Sequence, residues 1–191
     1  MAAYDLPTTV TVGGREYAIR SDYRAVIDVM QVIADPDLTD GERATLALAI
    51  FYPEADGMPA RDLQEAVRRM YWFIGGGEEP DGKRRPRVMD WEQDFALIAA
   101  PINHVLGYEV RSVPYDYDKN VGGLHWWTFL AAYREIGDCT FAQVVAIRKK
   151  RMAGKKLDKR EQQFYSDNRD LVDLKRKETE AEAQLFEEWT S

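Results

Sequence analysis

From Leu124 to Phe129 the chain reads Leu, His, Trp, Trp, Thr, Phe, and the apolar residues that continue to Ile136 fall on almost every side of a helical wheel. Trp126, Phe129, Leu130 and Tyr133 lie on one flank, and Leu124, Trp127 and Ala131 on another. A helix that is apolar nearly all round sits centrally in a core. Two adjacent Trp residues cannot share one face, so either other helices cover both faces or one indole is held ready for a partner. The stretch contains no catalytic set, which turns the functional question toward packing and protein contacts.

Length and composition fit that reading. The 191 residues suffice for one domain with a sizeable core and an appended terminal element. A hydrophobic share of 45% beside 31% charged residues is that of a globular chain, neither disordered nor membrane-embedded. No apolar run approaches the roughly 20 residues needed to cross a bilayer. Residues 1–17 lack the basic, apolar, small-residue order of a signal peptide. The single Cys139 can form neither an internal disulfide nor a multi-Cys zinc site, so a cytosolic protein is expected.

The caps and apolar periods predict a mainly α domain over residues 1–175 with one small N-terminal β-hairpin at 8–20. In the hairpin, Val10 and Val12 alternate with Thr, Gly13 and Gly14 make the turn, and Tyr17 and Ile19 continue the period of two. Ser21 is placed to cap a helix through Met30 and Ile33. Thr39 and Glu42 form a capping box for a second, which carries Leu46, Ala49, Ile50 and Phe51 up to Pro53. Pro59 opens a third over Ala60–Ile74, with Leu63, Val67, Met70, Tyr71 and Ile74 at helical spacing. Gly75–Arg87 holds three consecutive Gly, two Pro and the basic Lys83, Arg84, Arg85 and Arg87, which predicts a mobile surface loop.

A second capping pattern at Asp90 and Gln93 starts a helix with Phe95, Ile98, Ala99, Ile102, Val105 and Leu106 apolar; Pro101 interrupts it and Gly107 closes it. Pro114–Lys119 reads as a loop leading to the Trp helix. Thr140 and Gln143 start a further helix with Phe141, Val144, Val145 and Ile147 inward, and Gly154 marks a break. Asp158 and Glu161 cap another, with Phe164, Tyr165, Leu171 and Val172 apolar. Residues 176–191 are an acidic tail whose apolar period fades to Leu185, Phe186 and Trp189, helical only if something packs on it.

The chain offers little that points to catalysis. Gly75–Gly77 neither follows a strand nor precedes a Lys and Ser/Thr pair, so it is not a phosphate-binding loop. Cys139, His125 and Asp138 can be assembled into a nucleophilic trio only on paper, and Cys139 beside a helix start reads more simply as a half-buried small residue. His104 and His125 have no second ligand at helical spacing. No catalytic residue, metal or cofactor is expected.

Two features remain as partner sites. Phe51 with Tyr52, Tyr71 with Trp72 and Phe73, and Trp126 or Trp127 are aromatic clusters of the kind that anchor interfaces, and each has the alternative of being core. The net charge of −7 hides a basic block from Arg148 to Arg160, with Arg148, Lys149, Lys150, Arg151, Lys155, Lys156, Lys159 and Arg160 opposed only by Asp158. Such a block meets phosphates or an acidic partner, or else is a solvated helix end with the acidic tail folded back on it.

The order of segments resembles the phage proteins grouped as "gene product fifteen", found in tailed phages and prophages of Gram-positive bacteria. The matching pieces are Ser21–Ile27 (SDYRAVI), Ile50–Glu54 (IFYPE), Met70–Gly75 (MYWFIG), Asp90–Ile98 (DWEQDFALI), Leu124–Phe129 (LHWWTF), Ala146–Arg148 (AIR) and Lys159–Tyr165 (KREQQFY). The resemblance implies a role in tail morphogenesis as an assembly chaperone without catalytic residues, acting in the cytoplasm of the infected or lysogenic host and absent from the mature virion. Its implied partners are the helical tape-measure protein, the tail tube protein and a second assembly chaperone, with no membrane and no nucleic acid. A structural virion protein, such as a tail completion or connector subunit, is the alternative, and a nucleic-acid binder using the basic block is a third.

Overall fold

The structure is a computed structural model that describes residues 5–79, 82 and 86–175. It is mainly α, with a small antiparallel hairpin near the N-terminus, as the sequence predicts. The fold comprises two compact units: one holds the chain up to Lys83 together with Arg111–Leu130, the other Arg84–Val110 and Ala131–Arg176.

In the first unit, β1 (Thr9–Val12) pairs with β2 (Arg15–Ala18) in the register Val10↔Tyr17 and Val12↔Arg15. Val10, Val12 and Tyr17 are buried, so one face of the ribbon belongs to the core. Gly13 turns the chain with φ +57°, its N–H donates to Glu65 Oε2 at 3.0 Å, and a Cβ there would lie 2.6 Å from the Asp62 carboxyl carbon. Only glycine fits this turn against the carboxylate beneath it.

Helix α1 (Tyr23–Ile33) is capped by Asp22 rather than by Ser21, because the Asp22 carboxylate accepts the Arg24 N–H while Ser21 gives its carbonyl to Trp126 N–H. Helix α2 (Asp40–Phe51) starts on the Thr39–Glu42 capping box, with both reciprocal bonds formed. Its buried face is Ala47, Leu48 and Phe51, whereas the apolar Leu46 and Ala49 face solvent. The run LALAIF is apolar on every side, so the sequence period does not set the phase of burial, and packing against α1 does. A 3₁₀ turn (Ala60–Asp62) leads into α3 (Leu63–Ile74), whose inward side chains are Ala66, Met70 and Phe73; Leu63 and Tyr71 are exposed. Within the predicted Pro114–Lys119 loop a two-residue strand, β3 (Tyr115–Asp116), pairs with β4 (Val121–Gly122) just beyond it.

Helix α5 (Trp126–Arg134) is shorter than the apolar run that predicts it. It begins in the first unit and ends in the second.

The second unit is built on α4 (Trp91–Leu106), α6 (Thr140–Met152), α7 (Lys159–Asp167) and the short α8 (Arg169–Val172). Asp90 caps α4 by accepting Gln93 N–H, but the reciprocal bond runs from Asp90 N–H to Asp94, not to the expected Gln93. The Gln93 side chain bonds instead to the Asp173 carbonyl and the Lys175 N–H. Gly107 closes α4 in the left-handed conformation, and Pro101 lies inside the helix. Thr140 is the first residue of α6, with Cys139 at the cap position making no side-chain bond. Val144, Ile147 and Val172 form the core, covered by Leu97, Leu157, Phe164, Tyr165 and Leu171. Asp158 and Glu161 make their full capping box on α7, and Asn168 separates α7 from α8. The predicted tail, 176–191, and the Pro80–Arg85 part of the predicted mobile loop, Gly82 excepted, lie outside the described residues.

Candidate functional site

The first unit is organised by a joint in which four of the sequence segments singled out above meet. An α-helix ends with carbonyls that have no partner in the helix. At the end of α3 two of these are taken by adjacent indoles: Trp127 Nε1 donates to the Phe73 carbonyl at 2.9 Å and Trp126 Nε1 to the Ile74 carbonyl at 2.8 Å. The Trp pair thus serves one helix end with both of its N–H groups, although the two rings point to different sides of α5. Trp126 is buried and stacks on Phe129, which stacks in turn on Tyr23 with centroids 4.6 Å apart. Trp127 is half-buried, stacks on Phe73 and meets Trp72 edge-on.

The start of α5 is fixed with equal economy. Asp22 accepts the Leu124 N–H at 2.7 Å with its second carboxylate oxygen and holds the Arg24 guanidinium with both. Tyr23 N–H donates to the Leu124 carbonyl, and Arg24 reaches the Val113 carbonyl. Hydrogen bonding to Asp22, ahead of the cost of burial, raises the Arg24 pKa. Gly123 makes the approach possible: it has φ +86°, and a Cβ there would lie 2.2 Å from Asp22 Oδ2. His125 Nδ1 accepts the Trp127 N–H, so Nε2 carries the proton and donates to the Pro7 carbonyl at 2.9 Å. Burial lowers the His125 pKa. With both ring nitrogens spent on backbone, the imidazole acts as a cap of α5 and not as a base for a nucleophile.

The aromatic candidates therefore fall into two groups. Phe51, Tyr52, Phe73 and Trp126 are core, each no more than 2% exposed, and offer no surface to a partner. Tyr52 donates its hydroxyl to the Ala66 carbonyl, and burial raises its pKa. Tyr71 is 39% exposed, and Trp72 and Trp127 are half-buried. Tyr71 lines a cleft of about 300 Å³ between α1, α2 and α3, with Ile33, Ala44, Ala47, Val67 and Met70 as its apolar walls. Sequence reading missed this cleft. Its signal was present in the small Ala44 and Ala47, which leave room opposite the larger α3 side chains.

The basic block also divides. Arg148, read as a surface cation, is 4% exposed. Its guanidinium is paired with the buried Asp94 at 2.6 and 2.9 Å and donates to the carbonyls of Val172, Val88 and Leu171. Removing it from the patch follows from the physics of burial: a charge inside a protein must be matched by charge and hydrogen bonds. Lys150 pairs with Glu161, and Arg151 with Asp173 while lying over the Tyr165 ring at 4.1 Å. Lys149, Lys155 and Lys156 are exposed.

These observations define a mainly α protein whose motif segments, SDYRAVI and LHWWTF in one unit and DWEQDFALI and AIR in the other, are joints between helices. A family model described as Bacteriophage Gp15 protein matches residues 3–98 and 111–174. Matched over most of its length, the chain belongs to that family and is a phage-related protein. No curated protein and no solved structure matches the chain significantly. Among the described residues, no helix is long and apolar enough to cross a membrane.

Proposed function

We propose that this protein is a non-enzymatic tail-assembly chaperone that binds the tape-measure protein during tail morphogenesis, in the host cytoplasm, and does not stay in the virion. The observation that supports the reading is the cleft between α1, α2 and α3. It is apolar, and it carries one large, exposed aromatic side chain, Tyr71. At about 300 Å³ it accepts a single large side chain or two small ones from an amphipathic helix. Its charged rim residues, Asp40 and Arg43, pair with each other at 2.9 Å, which leaves the cleft suited to an uncharged stripe. A tape-measure protein, long and helical, offers such stripes repeatedly. The tail tube protein and a second assembly chaperone are the further partners of this reading.

Co-expression tests it. The soluble yield of the tape-measure protein should rise with this chain present, and the two should purify together at physiological salt, since apolar burial tolerates ions. Tyr71→Ala should weaken the complex by about 2 kcal/mol, the scale of an interface hot spot, with helical content unchanged. A tape-measure protein that is neither solubilised nor retained would refute the chaperone reading. Recovery of this chain in purified particles would instead support a tail completion or connector subunit.

A further inference from the structure

The second unit carries a cleft of about 370 Å³ on which Arg87, Arg148 and Arg151 converge. That volume lies at the small end of ligand pockets, which span roughly 300 to 1,000 Å³. The three arginines are not equivalent. A guanidinium has five N–H groups. Arg148 uses all of them, on both Asp94 oxygens and on the carbonyls of Val88, Leu171 and Val172, so it is a fixed wall with no donor left for a guest. Arg87 and Arg151 differ from it. Among the described residues each donates to one aspartate, Asp90 and Asp173 respectively, and their side chains are 42% and 41% exposed, so most of each fork remains available.

Both forks are held in place before any ligand arrives. Arg151 lies over the Tyr165 ring at 4.1 Å, and the Tyr165 hydroxyl donates to the same Asp173 carboxylate at 3.1 and 3.3 Å. Asp90, the partner of Arg87, is itself fixed as the cap of α4 by the Gln93 N–H. Such advance placement lowers the ordering cost of binding. The apolar part of the lining is Met152, which is 55% exposed, with Val172 and the half-buried Leu174. Arginine forks match the paired oxygens of a carboxylate or a phosphate. The rest of the lining decides between the two. Apolar surface offers a phosphate no partner, and Asp173, in the same lining, repels a second negative charge.

We propose that this cleft is a binding site for a single carboxylate borne on an apolar group, with the carboxylate between Arg87 and Arg151 and the apolar group against Met152 and Leu174. The end of a polypeptide chain with a large apolar last residue and a small aliphatic acid share that chemistry. The site has no residue in common with the α1–α2–α3 cleft, so it is independent of the tape-measure reading.

Titration calorimetry on the full chain tests it with three probes: the acetylated tripeptide Ala-Leu-Phe as the free acid, the same tripeptide as its C-terminal amide, and octanoate. The free acid should bind roughly ten- to a hundredfold more tightly than the amide, the scale of one charge-assisted hydrogen bond. Inorganic phosphate at equal concentration should not displace it. Tighter binding of the tripeptide acid than of octanoate assigns the site to chain ends, and the reverse order assigns it to small aliphatic acids. Replacing Arg87 and Arg151 together by Gln should weaken the acid about tenfold or more. Met152→Glu, at an exposed position that tolerates the change, sets a like charge against the guest and should abolish binding with the melting temperature little altered. Equal binding of acid and amide, displacement by phosphate, or undiminished binding by the Met152→Glu protein overturns the proposal.

Discussion

Replacing Trp127 by Phe keeps a ring over Phe73 and deletes one of the two donors to the Phe73 carbonyl at the end of α3, leaving it the Gly76 N–H. One hydrogen bond lost from a carbonyl that stays paired costs about 0.5 to 1.5 kcal/mol, so Trp127→Phe should shift the urea midpoint downward by that equivalent. An unchanged midpoint would show the bond to be idle. The buried pair behaves differently. Asp94→Asn or Arg148→Met alone should cost about 3 to 5 kcal/mol, since each strands its partner inside the protein, whereas Asp94→Leu combined with Arg148→Met should recover much of that loss. Additive losses in the double variant would contradict the coupling. His125 gives the pH prediction. Burial lowers its folded-state pKa below the ordinary 6.5, so the unfolded chain binds the proton more readily. The stability it contributes is complete above pH 6.5 and is lost as pH falls through the folded pKa. The melting temperature should therefore drop on going from pH 7 toward pH 5, and His125→Gln should flatten that slope.

At the scale of elements, legibility followed chemistry that is local in sequence. The capping boxes at Thr39–Glu42 and Asp158–Glu161 use residues three apart, and both were readable and both formed. Where a long-range partner competes, the local reading slipped: Ser21 lost the cap of α1 to Asp22, which is also wanted by Leu124 more than a hundred residues away. Gln93 lost its reciprocal role to Asp94 for a similar reason, because its amide is drawn to the chain beyond α8. The burial phase of α2 was illegible because its C-terminal half is apolar all round. The candidate surface is legible only in part: the aromatic run marks exposed Tyr71, whereas the small Ala44 and Ala47 opposite it carry no pattern of their own, and nothing local to Arg148 announces a carboxylate partner on another helix. The Thr39 cap permits a direct check. Thr39→Ala should cost about 1 kcal/mol through loss of its bond to Glu42 N–H, read as a fall in melting temperature; a neutral effect would mean that α2 is held by packing alone.

Across the whole molecule, the matched family regions run through both compact units, and the motif segments of each unit bond among themselves. Residues 99–110, which the family model skips, form the second half of α4 and the turn that follows. There Asn103 accepts the Val110 N–H and donates to Glu109, a closure internal to that stretch. Gly75, Gly76 and Gly77 each donate a backbone bond to the last turn of α3, and Gly77 lies against Trp127, so within the Gly75–Arg87 stretch trypsin should cut first after Lys83 or Arg84, the Arg85–Pro86 bond being resistant. First cleavage in this stretch after Arg87 would count against this.

The two indole bonds at the end of α3 also provide a clock. An indole proton held by a carbonyl exchanges with deuterium only when that bond opens, so the side-chain protons of Trp126 and Trp127 time the opening of the joint itself. If the joint opens as one piece, the two protons exchange at one common rate. If α5 frays from its half-buried side, Trp127 exchanges ahead of Trp126, and the order of the two signals reads out which side of the helix gives way first.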